Sequence, residues 1–306
     1  MKRREFVTKS VGIGLAGALA PVFGSFDALA SKPATDGIYD MAAVRGGEPA
    51  AMFDKAIEAL GGMKRFVKAG QRVLVKPNIG WDNVPERAAN TNPELVGRIV
   101  KSAFEAGASD VFVFDHTCDQ WDRCYKNSQI EEAVKANGGT IVPGNNEQNY
   151  KEVTIPGGKS LKTTKVHELL LSTDVFINVP VLKHHGSTTV TLSMKNLMGV
   201  VWDRRFYHGN DLSQCIADFL LYRKPDLNIV DGYRMMTRNG PRGVSMDDVV
   251  DLKALVAGTD IVAVDAAATL MFGSKPQDIA HIRIAEEMGF GTTNLESLSI
   301  NRIRIS

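Results

Sequence analysis

From residue 50 onward, short runs of unbroken apolar residues alternate with stretches whose apolar positions recur every three or four residues. Residues 51–60 set Phe53, Ile57 and Leu60 on one helical face, and Gly61-Gly62 ends the pattern. Residues 72–76 read as a short buried strand stopped by Pro77. Asn92-Pro93 opens a helix that runs to about residue 106, where Gly107 ends it. Further strands are predicted over 111–114, 140–142, 174–179, 226–230 and 252–257, with a helix over 128–137. Continuous apolar strands between helices are what a sheet covered on both faces requires. The expected fold is therefore α/β, a mainly parallel sheet flanked by helices. The polar, glycine-rich segment 143–164 reads as a hairpin inserted in the sheet order, with residues 152–155 as a strand. Residues 31–306 fit one α/β unit, or two lobes divided near 140–170.

The first thirty residues follow a different pattern. Lys2-Arg3-Arg4-Glu5-Phe6-Val7 precedes a Gly/Ala-rich apolar run, and Ala28-Leu29-Ala30 fits a small-x-small cleavage site. Basic, apolar and cleavage regions in that order make a secretory signal. The Arg3-Arg4 pair followed by x-Phe-aliphatic resembles the twin-arginine (Tat) export signal. The expectation is a signal over residues 1–30, with Arg3, Arg4, Ala28 and Ala30 as its marks, passage through the Tat machinery and a periplasmic mature chain. Its loss takes away four basic and two acidic residues, moving the net charge from +1 to −1. No later stretch reaches the roughly 18 apolar residues of a membrane span.

In open α/β sheets ligands bind beyond the carboxyl ends of the strands, so the residues after each strand become candidates. They are Lys76 and Asn78, His116, Lys183-His184-His185, Asp231 and the run from Gly258 to Asp265. The densest segment, 183–199, also holds Lys195 and Asn196. Adjacent histidines can ligate a metal or exchange protons near neutral pH, and lysines can hold an anion. His185, Lys195, Lys183 and His116 are the catalytic candidates, with His185 as acid/base. Lys76, Asn78, Asn196, Asp231, Gly240 and Gly243 are the ligand-binding candidates, the glycines because such a loop lets backbone N–H groups approach an anion. A divalent metal would fall to His184, His208 and Asp265. Because 188–191 is rich in β-branched residues, the segment is expected to turn at Gly186-Ser187, return as strand or loop, and become helical near Ser193.

The remaining composition narrows the class. The chain has 306 residues, 44% of them hydrophobic and 23% charged, an ordinary globular mixture. Near-zero net charge argues against nucleic-acid binding through phosphate contacts. A P-loop, a dinucleotide fingerprint and a Gly-x-Ser-x-Gly elbow are all absent from the sequence. The cysteines are three, Cys118, Cys124 and Cys215. Their spacing fits neither a zinc ribbon nor a ferredoxin pattern. No iron–sulfur cluster is expected from this chain alone. Cys118 and Cys124 could pair as a disulfide, and Cys215 reads as a buried core thiol.

Several motifs resemble those of the domain of unknown function 362 (DUF362) family. They are Lys76-Pro77-Asn78, Thr91-Asn92-Pro93-Glu94, the run Asn178 to Gly186, Thr191 to Gly199, Asp231-Gly232, Gly240-Pro241-x-Gly243 and Ala257-Gly258-Thr259-Asp260-x-Val262-Ala263-x-Asp265. Many members of that family carry a ferredoxin-type segment, which is absent here, so the resemblance implies at most an iron–sulfur partner subunit. A weaker resemblance is to the nickel-pincer lactate racemase family, which places a histidine after a strand and a cofactor-bearing lysine ten residues on. His185 and Lys195 share that spacing, with His116 in the place of an earlier catalytic histidine and His208 nearest to a later metal ligand. The glycines of that family are missing between Ser187 and Met194. Three functions stay open: an enzyme acting on a small carboxylate or phosphate, a non-catalytic periplasmic ligand- or metal-binding protein, and an accessory of an exported iron–sulfur redox complex.

Overall fold

Period-two alternation along the strands gives each sheet face its own core. The computed structural model describes Ala34 and residues 36–306. The export-signal residues Arg3, Arg4, Ala28 and Ala30 lie outside that range. Val73 and Val75 pack into one apolar cluster while Leu74 packs into the other. Val175, Ile177 and Val179 join the first, and Phe176 the second, as alternating side chains on a strand must.

The strands are β1 (Met41–Arg45), β2 (Arg72–Pro77), β3 (Asp110–Val113), β4 (Thr140–Ile141), β5 (Tyr150–Thr154), β6 (Thr163–His167), β7 (Val175–Val179), β8 (Val181–His185), β9 (Thr189–Thr191), β10 (Leu227–Met236), β11 (Val249–Gly258) and β12 (Ile300–Arg304). The main sheet runs β12-β1-β11-β10-β7-β2-β3-β4, with β8 paired to β10 and β9 to β8. From β10 to β4 every pairing is parallel. β11 runs antiparallel to both β10 and β1. The architecture is thus α/β, with a largely parallel central sheet flanked by helices. The segment after residue 143 does form a hairpin, but β5 and β6 make a separate two-stranded ribbon rather than joining the main sheet.

Helix ends follow local chemistry. Asn92 Oδ1 accepts from the N–H groups of Glu94 and Leu95, Pro93 fills the first turn, and Gly107 closes the helix Pro93–Ala106 at φ 109°. Asp260 likewise caps Val262 and Ala263 at the start of the helix Ile261–Phe272. Ten of that helix's twelve residues are buried. It is apolar all round, which identifies an internal helix. Among the described residues no helix is long and apolar enough to cross a membrane.

The sheet order fixes where a pocket can form. After β2 the chain adds β3 and β4 on one side, and β7 and β10 lie on the other. Strand order therefore reverses between β2 and β7, which opens a crevice at their carboxyl ends. Lys76 and Asn178 are partners in that register.

Candidate functional site

A cavity of about 520 Å³ lies at these strand ends. Its wall contains Lys76, Asn78, Asp115, Cys118, Lys183, His185, Thr191, Lys195, Asn196, Arg204, Arg205 and His208. Five lining side chains are lysine or arginine, and Asp115 is the one acidic residue among them.

Lys76 anchors the floor. It is wholly buried, and its Nζ lies 2.8 Å from Asp115 Oδ1. It also donates to Pro77 O at 2.7 Å and to Asn196 Oδ1 at 3.0 Å. Burial still pulls the Lys76 amine down, against the lift from Asp115. Gly199 makes room for the pair: a Cβ there would sit 1.9 Å from Asp115 Oδ1 and 2.6 Å from Lys76 Nζ. An amide chain extends from this floor. Asn78 Nδ2 donates to Asn196 Oδ1 at 3.1 Å, Asn196 Nδ2 to Asn178 Oδ1 at 2.9 Å, and Asn178 Nδ2 to Asn228 Oδ1 at 3.1 Å. Asn178 lies one residue from the end of β7 and Asn196 in the short helix Ser193–Asn196, so the chain ties three elements together.

The β8–β9 hairpin supplies one wall. Alternation along β8 sends Lys183 and His185 to the cavity, while His184 leaves it. The His184 Nδ1 accepts from Gly240 N–H at 3.0 Å. Lys183 faces Thr191 across the hairpin, and both line the cavity. Lys183 Nζ donates to Asn78 Oδ1 at 3.2 Å and to the Ala89 carbonyl. Burial pushes this amine down to about 7. The chain turns at Gly186-Ser187, and Lys195 returns to the same cavity as His185. Lys195 is 9% exposed. Its Nζ meets Met198 Sδ at 3.0 Å and has no carboxylate partner among the described residues. Burial, with Arg204 and Lys76 nearby, brings it to about 8.

The histidines present different atoms. His185 Nδ1 accepts from Ser187 N–H at 3.1 Å, so the neutral ring carries its proton on Nε2. Burial, reinforced by Lys195 and Lys183, lowers His185 to about 3. The neutral ring therefore offers its Nε2–H as a hydrogen-bond donor. His116 is the reverse case: its Nδ1 lies 3.0 Å from Val201 O, which leaves the Nε2 lone pair free.

The remaining candidates are more widely spread. His116 stacks on Trp202, centroids 4.8 Å apart, in a second cavity of about 880 Å³ beside the β5–β6 ribbon. Arg204 and Arg205 line both cavities. Asp231 is buried and accepts from Asn92 N–H at 2.7 Å and Tyr233 N–H at 3.0 Å. Asp265 is buried beneath the first turn of the helix Ser193–Asn196, accepting from Ser193 and Met194 N–H. His208 lines the smaller cavity, apart from His184 and Asp265. The expected cradle of glycine N–H groups is redirected, because Gly240 docks on His184 and Pro241 is what reaches the cavity. Among the described residues no three His, Cys, Asp or Glu side chains are placed to hold a metal ion. Cys124 and Cys215 pack into the clusters on opposite sheet faces, and all three thiols are free.

Sequence reasoning passed over Asp115 as an ion-pair partner and Arg204 and Arg205 altogether, and it gave Cys118 no place in the site. Arg204 sets the loop after β3: its guanidinium donates to His116 O at 2.8 Å, Thr117 O at 2.6 Å and Cys118 Sγ at 3.2 Å. The adjacent arginines were the one available signal.

Comparison with known proteins places this geometry in context. The family model described as "Domain of unknown function (DUF362)" matches residues 73–270. The thylakoid-associated protein sll1697 of Synechocystis sp. is 30% identical over 254 residues, covering 78% of this chain and 75% of that protein. Among solved structures, the lactate racemase apoprotein of Thermoanaerobacterium thermosaccharolyticum is 11% identical with a TM-score of 0.45. That match covers 83% of this chain and 58% of the racemase chain.

Proposed function

We propose that this chain, which belongs to the DUF362 family, is an enzyme that acts on a small molecule bearing a carboxylate or phosphate. One observation carries the reading: five cationic side chains against one carboxylate line the smaller cavity. The three lysines, Lys76, Lys183 and Lys195, are buried; buried cations repel one another and lose their hydration, so such a wall is costly unless an anion completes it. The acidic group would meet Lys195 and Arg205, which have no carboxylate partner among the described residues. Lys76 and Asp115 would hold the floor rather than touch the ligand first.

The chemistry belongs to the amines. Lys195 at about 8 and Lys183 at about 7 straddle the range in which a general acid or base works best. Lys195 would exchange the proton, and His185 Nε2–H would hydrogen-bond to developing negative charge. His116 could accept a proton from the part of a larger ligand that reaches past Arg204. The test is calorimetric titration of the full chain with sulfate, inorganic phosphate and malonate. Saturable binding that Lys195→Met removes supports the reading, and no binding of any of them at millimolar concentration refutes it. An anion-dependent reaction, lost in Lys195→Met, would separate an enzyme from a periplasmic binding protein.

A further inference from the structure

Cys118 lies on the loop after β3 and is the exposed one of the chain's three cysteines. Its N–H donates to Gly80 O at 2.8 Å, which fixes the residue at the cavity wall. The Arg204 guanidinium meets the sulfur at 3.2 Å. The sulfur is also near enough to Lys76, Lys183 and Lys195 to act on each electrostatically. The thiol is thus solvent-accessible on a wall that also carries three lysines and two arginines. A second feature of the same cavity calls for a ligand independently of the sulfur. Thr191 is 3% exposed and lines the cavity, and its Oγ1 has no hydrogen-bond partner among the described residues. A buried hydroxyl left in that state costs free energy that a bound acceptor would recover.

We infer that Cys118 is a nucleophile of this site, directed at a carbonyl carbon of a small carboxylate- or phosphate-bearing substrate. The inference rests on the anion-cavity reading above and specifies its substrate class: the anion carries an aldehyde or keto group. In the step, the Cys118 thiol proton passes to the Lys195 amine, a sulfur lone pair forms the S–C bond and the carbonyl π bond breaks. Its electron pair moves to oxygen, which takes a proton from the Lys195 ammonium to leave a neutral thiohemiacetal. The step is reversible and redox-neutral. Arg204, already bound to the His116 and Thr117 carbonyls, holds the sulfur in place.

Alkylation of the full chain tests the nucleophile. Iodoacetate and iodoacetamide deliver the same carbon, one with a negative charge and one without. The rate ratio of iodoacetate to iodoacetamide at Cys118, read by peptide mass spectrometry, is expected to exceed that of free N-acetylcysteine by roughly tenfold or more. With 2-13C-glyoxylate, the wild-type protein should show a thiohemiacetal carbon resonance that Cys118→Ser lacks. A ratio equal to that of N-acetylcysteine, or a glyoxylate spectrum unchanged in Cys118→Ser, overturns the assignment. Sulfate titration of Cys118→Ser keeps the two readings apart. Sulfate binding with an unremarkable thiol leaves the cavity reading standing alone, whereas no sulfate binding in either protein removes both.

Discussion

The Lys76 ammonium lies 2.8 Å from Asp115 Oδ1, with both side chains almost wholly buried at the strand-order reversal of the sheet. Both side chains are shielded from solvent, so removing one leaves the other buried without its counter-charge. Lys76→Met is expected to cost about 3–5 kcal/mol in urea denaturation. The double variant Lys76→Met/Asp115→Asn should recover a good part of that. A single variant within about 1 kcal/mol of wild type would show that the pair is not coupled in this way.

Lys195 should behave in the opposite sense. It is buried without a counter-charge, so Lys195→Met takes away an uncompensated cation and fills the same volume. Stability is expected to rise by about 1 kcal/mol while sulfate affinity falls at least tenfold. Calorimetry and thermal melts on one preparation check both. A variant that loses stability and keeps sulfate would make Lys195 a packing residue.

The two perturbed amines set a pH dependence with opposite signs for binding and folding. Sulfate keeps its charge from pH 6 to 10, so any change in its affinity comes from the protein. The bound anion needs Lys195 and Lys183 protonated, and the free amines lose their protons near 8 and 7. Sulfate affinity should therefore fall as pH rises above 7, toward about tenfold per pH unit for each proton taken up. Folding runs the other way. Both amines are depressed in the folded chain, so between about pH 8 and 10 the unfolded chain binds more protons and the empty protein gains stability as pH rises. Sulfate binding that stays constant from pH 6.5 to 9 would contradict the role given to these lysines.

The N-terminal pattern is tested in cells. With Arg3 and Arg4 both replaced by lysine, the precursor is expected to stay in the cytoplasm, because the export receptor reads the arginine pair. N-terminal sequencing of the exported chain should begin at Ser31. Normal export of the double variant would rule the twin-arginine reading out.

Unbroken apolar runs made the parallel half of the sheet legible, since β2, β7 and the start of β10 are buried on both faces. The two strands at the β12 end of the sheet were not. β1 is short and ends on Arg45, and β12 mixes Ile300 and Ile303 with Asn301 and two arginines. The helix Ile261–Phe272 escaped for another reason: apolar on every side, it has no 3.6-residue contrast to detect. The strand-end rule located Lys76, Asn78 and Lys183 but not which side of the sheet each side chain takes. Asp231 turns to cap the chain at Asn92, and Asp265 to support Ser193, for that reason. Cys118 reaches the cavity on a loop and Arg204 at the start of the short helix Arg204–Gly209, placements that no periodicity encodes.

The space above the Lys76–Asp115 pair belongs to Gly199, where a methyl group would come within 1.9 Å of a carboxylate oxygen. Three positions far apart in the chain thus work as a single lock. Transplanting the lysine and aspartate into another scaffold would fail wherever the third position carries a side chain. Introducing alanine at 199 would evict the pair without touching either charge, a steric way to discharge the cavity floor. A glycine of the cavity wall thereby becomes one of its most exacting residues to replace.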